Sequence, residues 1–122
     1  MSSAAADALH VLAQAVRASL DETFAEYAQM PFFVRPLVKR GFVKRTGHDA
    51  DRWRALLDAV ARGDRTPDAA LHLGRLADHF DGAPDRARRG RGAKPDELRE
   101  VERRSARRAA AARALADALR AG

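Results

Sequence analysis

His72 and His79 lie seven residues apart, with Asp68 one turn before His72. That spacing would set two imidazoles and a carboxylate on nearly one side of a helix, and such groups are transition-metal ligands. No third strong ligand is placed by the spacing. The expectation is therefore two histidines flanking Leu76 at a core boundary, with no metal site, and His10 and His48 standing apart from them. Asp21 and Glu22 are adjacent, so they diverge on a helix and make no acid/base pair. The chain has no cysteine, which removes thiol catalysis, disulfides and cysteine-ligated zinc together. It also lacks a phosphate-binding glycine loop, a dinucleotide fingerprint and a serine-nucleophile motif. The reading is a non-enzymatic protein with no catalytic residue and no cofactor.

The remaining chemistry is charge. The stretch "PFFVRPLVKRGFVKRTG" holds seven large apolar residues and five cations, with no acid between Glu26 and Asp49. Arg35, Lys39, Arg40, Lys44 and Arg45 would form a basic face able to attract phosphates or carboxylates. Residues 1–82 carry 11 Lys plus Arg against 11 Asp plus Glu, and residues 83–122 carry 12 against 6, so the whole formal excess of +6 lies in the last third. Such asymmetry marks an arm for an anionic partner. Arginine dominates the bases, 20 of 23, and alanine supplies 28 residues, which GC-rich codon bias would also produce. In the arm, Arg86, Arg88, Arg89, Arg91, Arg99, Arg103, Arg104, Arg107 and Arg108 are the phosphate-contacting candidates.

Helices must position these groups, because helical periodicity runs through most of the chain. Leu9, Leu12, Val16, Leu20, Phe24 and Tyr27 recur every three or four positions over 4–27. Trp53, Leu56, Leu57 and Val60 form a second stripe, closed by Gly63 as a C-terminal cap. In "TPDAALHLGRLADHFDG", Thr66 suits the N-cap, Pro67 the first helical position and Gly82 the stop, with Ala69, Leu73, Leu76 and Phe80 inward. For residues 31–47, Phe32, Phe33, Leu37 and Phe42 are expected to complete the core beside Trp53 and Phe24, with the basic face in solvent. "GAPDRARRGRGAK" has three glycines, one proline, five bases and no large apolar residue, and reads as a flexible linker. Pro95 then opens a long helix whose narrow stripe of Leu98, Val101, Leu115 and Leu119 would dock on the core or meet a partner.

The predicted fold is all-α: a bundle of about four helices over 1–82, a basic linker over 83–94, and a basic C-terminal helix over 95–122. No stretch approaches the roughly 20 apolar residues that span a bilayer, and the first residues lack the charged head of a secretory signal, so a cytoplasmic protein is expected. "AQMPFFVRPLVKR" resembles the start of the small helical module that ends the B subunit of the dark-operative protochlorophyllide reductases, where proline, aromatics, valine and arginine open a basic helix. The likeness covers about a tenth of the chain and departs at "FVKRTGHDADRW". No function and no residue follow from it, and the iron-sulfur cluster of that family has no cysteine here to hold it. The functional expectation is an accessory protein contacting nucleic acid or a nucleoprotein assembly through its basic helices. The alternative is an adaptor, or a homo-oligomer, formed through the C-terminal stripe. A membrane-surface role ranks below both, and would require Phe32 and Phe33 to be exposed.

Overall fold

The computed structural model describes residues 3–90 and 93–122. Among them lie six helices and no strand: α1 (Ser3–Ala28), α2 (Arg35–Thr46), α3 (Ala50–Ala61), α4 (Ala69–Asp81), α5 (Ala83–Arg89) and α6 (Pro95–Ala121). Each long helix forms where the sequence repeats apolar residues at three-to-four spacing. In α1, Leu9, Ala13, Val16, Leu20 and Tyr27 are buried, with Leu12 and Phe24 partly so. Two hydroxyls on that buried face are satisfied within the helix: Thr23 Oγ1 donates to the Ser19 carbonyl at 2.8 Å and Ser19 Oγ to the Ala15 carbonyl at 3.2 Å.

Helix ends follow local chemistry. The Asp49 carboxylate caps α3 by accepting from the Arg52 amide at 2.9 Å. Gly63, at φ +82°, ends the same helix in a Schellman turn: its amide donates to the Val60 carbonyl at 3.0 Å and the Asp64 amide to the Ala59 carbonyl at 2.9 Å. The start of α4 differs from expectation. Thr66 is not its cap; Thr66 to Ala69 form a turn closed by the Ala69 amide on the Thr66 carbonyl at 3.2 Å, and the helix begins after Asp68, which sits at φ +62°. Proline at the second position of a turn favours that geometry over a direct helical start.

Packing departs further from the sequence reading in the last third of the chain. α6 packs most extensively against α4 and also crosses α1 and α5, and Ala109, Ala112, Leu115 and Ala116 lie in the same core as Trp53, Leu73 and Phe80. Alanine is decisive here, because three small side chains let α4 approach closely enough to be covered. Residues Ala83–Arg89, expected as linker, are helical. None of them is buried; α5 is tied to α6 instead by Arg88, whose guanidinium bridges Asp85 at 2.7 Å and Glu102 at 2.6 Å.

The opening stretch is corrected too. In α2 only Val38, Phe42 and Thr46 face inward, four residues apart. Phe32, Phe33 and Leu37 are 80%, 66% and 63% exposed and add nothing to the core. Phe42 alone joins it, edge-on to Phe24 and His79 at centroid distances of 5.1 and 5.0 Å. Thr46 links the end of α2 to α3, its Oγ1 accepting from Trp53 Nε1 at 3.0 Å. Among the described residues no helix is long and apolar enough to cross a membrane.

Candidate nucleic-acid interface

The guanidinium groups of α6 are met by the protein's own carboxylates. Arg108, 6% exposed, reaches Glu26 at 2.6 Å and Glu22 at 3.1 Å on α1. Burial alone would lower its pKa, but hydrogen bonds and charge from Glu26, then Glu22, hold it above the ordinary arginine value. Arg107 also reaches Glu22, at 3.0 Å, and Arg104 reaches Glu26 at 3.3 Å. Arg103 pairs with Glu100 at 2.6 Å, and Arg99 with Asp96. Arg113 ties α6 to Asp81 at the end of α4. Of the arginines expected to contact phosphates from the arm, Arg88, Arg99, Arg103, Arg104, Arg107 and Arg108 each carry an internal acidic partner.

The stripe expected to dock on the core or meet a partner turns inside only in its C-terminal half. Leu115 is fully buried and Leu119 packs partly against the core, while Leu98 and Val101 remain half-buried near the start of α6. Arg91 lies outside the described residues.

On α2 the situation is reversed. Among the described residues, Arg35, Lys39, Arg40, Lys44 and Arg45 form no ion pair. Arg35 Nε donates to the Met30 carbonyl at 2.8 Å, which fixes the turn before the helix, and Arg45 Nε donates to His79 Nδ1 at 3.0 Å. The exposed rings of Phe32 and Phe33 stand edge-to-face at 5.7 Å at the N-terminal end of this surface. Arg35, Lys39 and Val43 also form one wall of a groove of about 400 Å³, whose other walls include Phe24, Arg54, Asp49 and Asp51. Leu37, Arg40 and Lys44 share the outward side of α2, Arg35 and Lys39 flank the groove against α3, and Arg45 turns toward α4.

The histidines divide differently from their spacing. His72 meets His48 with ring centroids 4.4 Å apart, and His48 in turn lies edge-on to Trp53. Burial and then His72 lower the His48 pKa. His79 is buried between Phe42 and Phe80, and burial, then Arg86 and Arg45, push it down to about 3. Its neutral Nδ1 is therefore an acceptor for Arg45. Among the described residues no group of three or more His, Cys, Asp or Glu is placed to hold a metal ion.

The chain matches no protein-family model, no curated protein and no solved structure. Function therefore rests on the surface itself.

The sequence reading expected Phe32 and Phe33 in the core, where the structure exposes them. A signal for their exposure was present: Pro36 limits how far helix can extend toward Phe32, and Val38, Phe42 and Thr46 already fill the inward positions.

Proposed function

We propose that this protein binds single-stranded nucleic acid through α2 and the turn before it. The carrying observation is the contrast between the two basic helices: α6 arginines are internally paired, whereas the α2 cations are not. Unpaired lysines and arginines along one helix neutralise successive phosphates and release condensed counterions on binding. Phe32 and Phe33 add exposed π-faces on which unpaired bases stack, an interaction worth about 1–3 kcal/mol per base and tolerant of sequence. Single strands fit this combination better than duplex, because duplex bases offer their edges in the grooves rather than their faces.

Leu37 supports a second reading. An exposed aliphatic side chain on the same side of the helix as Arg40 and Lys44 is what an anionic bilayer surface takes, with the phenylalanines inserted. The two readings separate with an oligothymidylate and with vesicles of mixed phosphatidylserine and phosphatidylcholine. Replacing both phenylalanines, Phe32→Ser with Phe33→Ser, is expected to weaken oligonucleotide binding by about 1–3 kcal/mol, with no loss of fold, since neither ring is in the core. Full oligonucleotide affinity in that double variant would reject base stacking. Retention on vesicles with no oligonucleotide binding would transfer the surface to the lipid reading.

A further inference from the structure

At the seam where α2 ends and α4 begins its last two turns, Arg45 and Arg75 line an open cleft of about 280 Å³ together with Asp78 and His79. Neither arginine has a carboxylate partner among the described residues, although paired arginines are common elsewhere in the molecule. Arg45 is aimed rather than loose: its Nε is bonded to His79 Nδ1, leaving both Nη groups for another acceptor. Arg86 approaches the same histidine from α5, donating Nη2 to the His79 carbonyl at 2.7 Å.

Three glycines make room for these guanidinium groups. A Cβ on Gly41 would lie 2.9 Å from Arg45 Nη2, one on Gly47 would lie 2.8 Å from Arg75 Nη1, and one on Gly82 would lie 2.7 Å from Arg86 Nη1. Each arginine thus rests on backbone where any other residue would displace it. Asp78 is the one acid at the cleft; it lies 3.5 Å from Arg113, which also holds Asp81. Asp78 offsets only part of the repulsion among the three cations gathered here, and a phosphate, two of whose oxygens can meet the planar fork of a guanidinium, would supply further negative charge.

From this geometry we infer that the Arg45–Arg75 cleft is a seat for a phosphate group, with Arg86 strengthening its field from behind His79. The phosphate has two possible sources of the same chemistry, free phosphate or the terminal phosphate of a nucleic-acid strand. Free-phosphate binding does not depend on the nucleic-acid reading; the terminal-phosphate source rests on it.

The test follows the Arg Nε–H signals of the full chain by NMR during titration with inorganic phosphate, with chloride at matched ionic strength as the control. Saturable shifts at Arg45 and Arg75 are expected with phosphate only, lost in Arg75→Gln and kept in Arg40→Gln. Both substituted residues are exposed, so neither variant should compromise folding. A second arm compares oligothymidylate with and without a 5′-phosphate. A several-fold gain from the 5′-phosphate that disappears in Arg75→Gln assigns the seat to strand ends; phosphate binding without that gain assigns it to free phosphate. Shifts no larger than those with chloride, or an Arg75→Gln variant that titrates like the parent, would overturn the seat. The Phe32→Ser/Phe33→Ser variant separates the two claims, because it should lose oligonucleotide affinity while titrating normally with phosphate.

Discussion

His79 is a buried base whose neutral form the fold requires. With its pKa pushed down to about 3 and an unfolded value near 6.5, the unfolded chain carries a proton between those limits that the native chain does not. Stability contributed by this group is therefore complete above about pH 6.5 and is lost as pH falls toward 3, with a slope of up to about 1.4 kcal/mol per pH unit. Denaturant midpoints measured across that range should show the slope in the parent and a shallower one in His79→Gln. An unchanged slope in the variant would place the titration elsewhere. The same residue scale shows what composition hides: Arg108 counts as one more positive charge in the tail, yet it is buried against Glu22 and Glu26 from the first helix. A pair 82 residues apart leaves no trace in local spacing.

At the scale of elements, α6 is structural before it is anything else. Its Ala109, Ala112, Leu115 and Ala116 cover α4 and α1, so deleting residues 95–122 would expose Leu73, Leu76 and Phe80. Exposing large apolar side chains forfeits roughly 1.5–3 kcal/mol each, enough in sum to exhaust the stability of a small domain. The truncated chain is expected to lose cooperative thermal unfolding by circular dichroism; a sharp transition near that of the full chain would show α6 to be dispensable. Much of this architecture is legible in the sequence. The stripes of α1, α3 and α4 fall at regular helical spacing, and their inward residues are largely the predicted ones, as is the stop at Gly63. α2 misleads because its apolar residues lie on both sides of the helix, so counting them suggests a core helix where Val38 and Phe42 alone turn inward. α6 misleads for the opposite reason: alanines register weakly as core, though at a close helix crossing they are what permits the approach.

Across the whole molecule, formal charge and available charge have different distributions. The sequence places the net excess of +6 in residues 83–122, but long-range pairing with Glu22, Glu26, Asp78 and Asp81 consumes much of it there. The balanced first two-thirds instead holds the unpaired cations of α2, because Glu22, Glu26, Asp78 and Asp81 are engaged with α6, and Asp21, Asp51 and Asp58 with arginines of α1 and α3. On the proposed reading, a polyanion would meet the uncompensated cations of α2, beside exposed aromatic rings, rather than the internally paired arginines of α6.

The most direct test compares two triple variants that remove equal formal charge: Lys39→Gln, Arg40→Gln and Lys44→Gln on α2, against Arg99→Gln, Arg103→Gln and Arg107→Gln on α6. Oligothymidylate affinity is measured for each as a function of salt. If the α2 cations neutralise the phosphates, their variant should reduce the slope of log affinity against log salt by about 2, at roughly 0.7 for each phosphate no longer neutralised, while the α6 variant keeps the parent's slope. Equal reductions in the two variants, or a larger one from α6, would contradict the account.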